Sequence, residues 1–499
     1  MPQPYCKRSL TLHALPFSLL LFMAPALFAA DQDTSLRLNQ TIEYRANQQE
    51  RELLKDELPN DGTAPLLNID GQDYTVGNNL DELGRAVYVS LSRQNWPQAR
   101  DYLKRYTALP GHDPMLTAYA KGGLARADGD LEQAEDYYRQ LLAIQSDFLP
   151  GRLELARVLF ENRKDGESNA VFQQISSGLS PSDAQAMGLG KTVDSFKQAL
   201  DHREDWQGSF AIGPTWGKNL NQSPESTVTY RYVTAEETIL VQRSLPKAVS
   251  AHGADYEATL NKRIALSGHH GVFMRSLLYG QAYEKESKYN ESTIINNAGY
   301  SYHDAKNQYS LGPSYEFNTI ADNAMYSAWG LRGEWIHTLS ATRMFKLEGE
   351  YKDMAYKHDL NSNLDGGISS VYATLWQALP QRWTLFGGVD LSQRNARDRT
   401  QAYLQKGVRL GVAKDFEVGV SAVLFASYRK RQYDAYSAIV DDRRSDDEQG
   451  YTFILRAPRL AVMDVVPSLT VKYNKVVSNV DWLYSYDKNS ISLKLEKQF

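Results

Sequence analysis

Trp383-Thr384-Leu385-Phe386-Gly387-Gly388-Val389-Asp390-Leu391 decides the fold, because Trp, Leu, Gly, Val and Leu take alternate positions while Thr, Phe, Gly and Asp lie between them. A period of two sets one face of an extended strand against an apolar medium and frees the other to be polar. Trp329, Leu331, Gly333 and Trp335 repeat the pattern, with Arg332 and Glu334 interleaved. Phe416, Val418, Val420, Ala422, Leu424, Ala426 and Tyr428 do so again, around Gly419 and Ser421. Working outward, the spacing predicts fourteen strands near 207–217, 251–265, 271–285, 289–303, 307–318, 325–339, 342–356, 366–379, 382–395, 399–414, 416–430, 449–461, 467–480 and 488–499. Tight connections at 266–270, 304–306, 340–341, 380–381, 415 and 462–466 alternate with others, of which 218–250, 357–365, 431–448 and 481–487 are long. Each strand supplies the roughly 9–11 residues that a tilted strand needs to cross hydrocarbon. An even strand number, short turns at one end and long loops at the other predict an outer-membrane barrel. Lipid requires closure, since an open edge leaves backbone groups unsatisfied. Ile491, Leu493, Leu495 and the terminal Phe499 read as the barrel's C-terminal signal, interrupted by Lys497. A fourteen-stranded soluble sandwich is the competing reading.

Ahead of the strands the period changes to about 3.6 residues. Asn95-Trp96-Pro97-Gln98-Ala99-Arg100-Asp101-Tyr102 aligns with Asp130-Leu131-Glu132-Gln133-Ala134-Glu135-Asp136-Tyr137, and a third copy sets Ala170 under Ala134. The segment resembles a tetratricopeptide array, in which paired helices recur about every 34 residues. Helices joined by a tight turn approach closely where a side chain is short. Ala99, Ala134 and Ala170 are the expected packing positions on the second helices, and Gly122 on a first helix, where Val87 and Val158 depart from the pattern. Ser180-Pro181-Ser182-Asp183 offers caps for one more helix, about 183–203. The array resemblance implies a concave, client-binding face that includes Tyr88, Tyr119, Arg126, Arg152 and Asn162, against the simpler reading of solvated helix positions.

At the N-terminus Lys7 and Arg8 precede an apolar run from Leu10 to Ala29, a secretory signal peptide with cleavage after Ala29 or Ala30. The single cysteine, Cys6, leaves with it, so the mature chain has no disulfide, thiolate metal site or thiol nucleophile. Residues 31–79 are polar and predict a mobile leader with a short helix near 43–58. Over 499 residues, 42% are hydrophobic and 23% charged, and the net charge of −5 gives no field that would recruit nucleic acid. Gly190-Lys191-Thr192 lacks the leading glycine of a phosphate loop, with Gln185 in its place. His269-His270 reads as a solvated turn and not a metal site. The acidic cluster Asp441, Asp442, Asp446, Asp447 and Glu448 reads as a hydrated loop and not a calcium site. No catalytic residue, metal or cofactor is assigned.

Exported leader, helical array and C-terminal barrel together resemble the surface lipoprotein assembly modulator family, Slam. Leu149-Pro150-Gly151-Arg152-Leu153-Glu154-Leu155-Ala156-Arg157-Val158-Leu159-Phe160 and the helix through Ala170 and Phe172 are especially similar. The expected organisation is signal peptide 1–30, polar leader 31–79, periplasmic helical domain 80–203 and outer-membrane barrel 204–499. The expected fold is an α + β membrane protein, TPR-like repeats followed by a fourteen-stranded antiparallel transmembrane β-barrel. The resemblance implies a translocon, and not an enzyme, that carries a surface lipoprotein or a soluble haem-binding client to the surface or medium. Its expected partners are that client, outer-membrane lipids and the barrel-assembly machinery, with the chain itself a monomer. A nutrient porin and an exopolysaccharide exporter remain alternatives.

Overall fold

A computed structural model describes residues 28–54, 68–69, 72–73, 76–178, 184–233 and 238–499. The charged and apolar parts of the predicted signal peptide, Cys6 and the Ser180–Asp183 capping stretch lie outside the described residues.

Three helical hairpins follow one another, α2 (Leu80–Ser92) with α3 (Trp96–Thr107), α4 (Pro114–Ala127) with α5 (Leu131–Ile144), and α6 (Leu149–Glu161) with α7 (Asp165–Gly178). Helix α8 (Ala184–Glu204) closes the stack. Their starts are set locally. The Asn79 side chain accepts the Glu82 N–H at 2.9 Å, Asp113 accepts from Met115 at 2.8 Å and Asp130 from Gln133 at 3.1 Å, satisfying amides that a helix start otherwise leaves free. Gly129, at φ +76°, turns α4 into α5. Ala99 and Ala134 are fully buried, and a Cβ at Gly122 would come within 2.8 Å of the Tyr138 ring.

The third hairpin corrects the predicted register. Ala170 is exposed, and Ser168, fully buried, takes the packed position and donates to the Ala156 carbonyl at 2.9 Å. Ala156 precedes Ser168 by twelve residues, as Gly122 precedes Ala134, so the third small pair is Ala156 with Ser168 and the apparent departure at Val158 vanishes. Ser168→Leu is expected to cost about 1–3 kcal/mol by overpacking, and Ala170→Leu less than about 0.5. Urea unfolding followed by helical circular dichroism measures both.

Among the described residues, fourteen strands close into one antiparallel barrel: β1 (Gln207–Lys218), β2 (Ala251–Ala265), β3 (His270–Tyr283), β4 (Glu291–His303), β5 (Asn307–Ile320), β6 (Asn323–Ser340), β7 (Arg343–Tyr356), β8 (Gly366–Leu379), β9 (Trp383–Arg394), β10 (Tyr403–Phe416), β11 (Val420–Tyr433), β12 (Ser445–Arg456), β13 (Val465–Ser478) and β14 (Tyr486–Gln498). Closure is made by β14 on β1, through Ile491 opposite Trp216 and Leu495 opposite Ile212. Gly208 and the terminal Phe499 exchange backbone hydrogen bonds of 2.8 and 3.1 Å. Leu410, Trp329 and Val389 are 68%, 64% and 57% exposed, and Ile491, Leu493 and Leu495 join the same outward apolar girdle.

Two local readings change. The tenth and eleventh strands run 403–416 and 420–433, because the turn falls at Glu417–Gly419 with Gly419 at φ +75°. Phe416 and Val418 therefore precede the strand that carries Val420 to Tyr428. The long loop after β1 contains a hairpin, Thr227–Val233 paired with Thr238–Ser244, where the sequence reading had only loop. The predicted mobile leader is also revised, since α1 (Phe28–Leu53) is a 26-residue helix whose first half lies inside the barrel. Beyond it, Asn68–Ile69 pairs with Gln72–Asp73.

Candidate functional site

Inward positions of the strands form rungs of opposite charge. On one arc, Arg332 of β6 donates to Glu334 at 2.8 Å and to Glu348 of β7 at 2.5 Å, while Arg275 of β3 donates to Glu334 at 2.9 Å. On another, Lys494 of β14 reaches Asp255 and Glu257 of β2, both at 3.0 Å. A third joins Arg409 of β10 to Asp390 of β9 at 2.5 Å and Arg431 of β11 to Glu448 of β12 at 3.3 Å. Buried charges persist only when paired and hydrogen-bonded, so alternation here produces ladders and not bare acids or bases. Asp446 and Glu448 belong to these rungs. Strand β12 begins at Ser445, and Arg444 pairs with Asp446 at 2.7 Å, which overturns the hydrated-loop reading for those two acids. Asp447 points outward and accepts from the Tyr428 hydroxyl at 2.7 Å.

Helix α1 is threaded into this interior. Gln32 donates to the Tyr372 hydroxyl at 2.6 Å, Asp33 accepts from Ser427 at 2.7 Å and from Arg429, and Arg37 donates to Glu257 at 2.6 Å. Leu38 packs on Leu277 and Tyr279. A helix is about 10–12 Å across with its side chains, enough to take up much of a fourteen-stranded lumen.

Where α1 leaves the barrel, four elements meet at a joint. Glu50 accepts from Arg163 at 2.9 Å and from Arg203 of α8 at 2.7 Å. Arg203 also reaches Asp165 at 2.5 Å and lies over the Phe160 ring at 3.7 Å. Arg263 of β2 approaches the same Asp165 at 3.4 Å, tying array to barrel. Leu54 completes a core with Phe160, Phe172 and Phe196. Burial pushes the Glu50 carboxyl up, yet Arg163 and Arg203 outweigh it and hold it well below its ordinary 4.5. The joint's stabilisation is thus complete above the unfolded value and is lost only as pH falls through the depressed folded one. The hydrogen-exchange protection of α8, taken relative to the intrinsic rate at each pH, is expected to be unchanged between neutral pH and 5 and to fall only in stronger acid.

The expected client-facing residues are not brought together on one open face. Tyr88 is 57% exposed on α2. Arg152 is partly exposed and donates to the Ser146 carbonyl at 2.6 Å. Tyr119 packs edge-on against Tyr138 and Phe148 at 6.0 and 6.2 Å, and burial pushes its hydroxyl up to about 12. Arg126 binds Glu154 at 2.6 Å and Glu161 at 2.5 Å, linking adjacent hairpins. Asn162 is the buried C-cap of α6. Of the histidine pair, the His269 ring meets the His303 carbonyl at 2.9 Å and the His270 ring meets the Tyr300 hydroxyl at 2.5 Å. Lys191 lies on α8. Sequence reasoning missed the lumen helix and the joint, whose only signal was charge without apolar periodicity.

Residues 206–499 match the family described as surface lipoprotein assembly modifier, and residues 69–172 match that family's N-terminal TPR repeats. The hemophilin secretion modulator of Acinetobacter baumannii is 42% identical over 96% of this chain and 98% of its own. Surface lipoprotein assembly modifier 2 of Haemophilus influenzae is 28% identical over 83% of this chain and 84% of its own. Surface lipoprotein assembly modifier 1 of Neisseria meningitidis serogroup B is 26% identical over 96% of both.

Proposed function

Because this chain belongs to the surface lipoprotein assembly modifier family, we propose that it is an outer-membrane translocon that delivers a client protein to the cell surface or the medium. The barrel lies in the outer membrane, with its short turns and the helical array on the periplasmic side. The observation that carries the reading is a closed, outwardly apolar barrel bonded at its periplasmic rim to a TPR array, through Asp165 and Arg263. That joint fixes a receptor surface beside the mouth.

The array, residues 80–203, captures the client. Tyr88 and Arg152 are its accessible contacts on the concave side, and Tyr119, Arg126 and Asn162 hold the shape of that side. Ile491, Leu493 and Leu495 of the terminal strand, with Phe499 just beyond it, form the signal that the barrel-assembly machinery reads. The chain acts as a monomer among outer-membrane lipids, and its role includes no catalytic step. The client is a surface lipoprotein or a secreted haem-binding protein. Near-full-length similarity to a protein named for hemophilin secretion favours a secreted client of that kind.

Deleting the gene and then quantifying candidate clients by surface labelling and in the medium tests the proposal. Periplasmic retention of a client is the expected result. Unchanged delivery of every client, with altered solute uptake, would favour a porin and end the translocon reading.

A further inference from the structure

The lumen is occupied by the chain's own N-terminal helix, on a track of charges already built into the wall. We propose that α1 is a displaceable plug, which closes the barrel at rest and must leave the lumen before a polypeptide can pass.

Three observations carry this. First, α1 is held mostly by polar contacts. Asp33 faces Arg429 on β11, and Arg37, one helical turn later, faces Glu257 on β2. Those two strands lie five positions apart round the barrel, so the helix is pinned from two arcs of wall and not laid along one. Second, its buried apolar residues in the lumen, among the described residues, are few, Leu36 and Leu38, the latter against Leu277 and Tyr279 with Ile42 and Ile295 beside them. A core helix buries a wide apolar stripe and does not come out. Charge-assisted hydrogen bonds can instead be exchanged for those of water or of another chain at small net cost. Third, the lower end of α1 does not belong to the barrel. Glu50 and Leu54 are held by the third hairpin and α8, so movement of the client-binding array is transmitted to the plug. The vacated track suits a polypeptide segment with an acid and a base one helical turn apart, the pattern α1 itself presents.

Planar-bilayer conductance of the purified full-length chain tests this without any client, so the result stands or falls separately from the translocon reading. The native chain is expected to open rarely. The double substitution Asp33→Lys, Arg37→Glu should raise open probability about tenfold or more, the effect of losing a single charge-assisted hydrogen bond. Adding Leu38→Cys with Leu277→Cys, in a mature chain that has no thiol of its own, should return that variant to the closed level under oxidant and release it under reductant. A folded, heat-modifiable double variant that conducts like the native chain overturns the proposal. Failure of the cysteine pair to cross-link in the otherwise native chain overturns it equally, and needs no charge variant to fold.

Discussion

Gly213→Val is expected to leave almost no folded barrel. A Cβ at Gly213 would sit 1.9 Å from the backbone carbonyl oxygen of Leu493 on β14, and no side-chain adjustment relieves a clash with a main chain. The substitution falls at the closing seam, between the Thr215–Ser492 and Ile212–Leu495 pairs, beside Pro214, which has no N–H to give. Neither strand can retreat, because β1 is bonded to β2 and β14 to β13. In lipid an unsealed edge costs several kcal/mol for each unsatisfied group. The heat-modifiable, fast-migrating species on electrophoresis should disappear. Gly349→Ala is the control, since nothing lies within 4 Å of a Cβ there, and its barrel should fold as the native one does. Persistence of the folded species in Gly213→Val would mean that the seam is not closed as described.

Excising residues 76–178, with α1 and α8 retained, should reduce client release to the level of a strain lacking the gene while the barrel still inserts. The array contributes no strand, and its bond to the barrel passes through Asp165 and Arg263, so folding of β1 to β14 does not depend on it. Quantifying client in periplasm and medium, beside heat-modifiability of the truncated chain, separates the two effects. Release at native levels from the truncated chain would remove the receptor role assigned to the array.

The barrel was legible because lipid imposes a simple code. Each outward position must be apolar, so Trp329-Leu331 and Leu493-Leu495 announce themselves at period two, and strand limits near 251–265 and 366–379 follow closely. Errors gathered where that code is silent. The Glu417–Gly419 turn was misplaced because Phe416 and Val418 extend the apolar alternation of β11 backwards through it, to the end of β10. The hairpin at 227–244 stands outside the membrane, where no apolar face is demanded. Ala170 misled because alanine suits both an exposed helix and a close contact, whereas the buried partner is a serine satisfied by the Ala156 carbonyl. Helix α1 escaped for a stronger reason. A helix in a wet, charged lumen has no apolar stripe to detect, and its partners, Arg429 and Glu257, lie some 400 and 220 residues away in sequence.

The array's expected contact residues show the same limit. The resemblance to a tetratricopeptide array implies Tyr119, Arg126 and Asn162 on one face, but whether a side chain on that face is free depends on the neighbouring hairpin. Glu154 and Glu161 engage Arg126, and Phe148 covers Tyr119. Tyr88 stays exposed, and Arg152 stays partly so while bonded to the Ser146 carbonyl.

Proteoliposomes settle whether this barrel moves a client. Vesicles carrying the purified chain with its array outward are given a client from outside, followed by protease. The account predicts client protected inside vesicles that contain the chain and fully digested with empty ones. Complete digestion in both, with the barrel shown to be inserted and heat-modifiable, would contradict it.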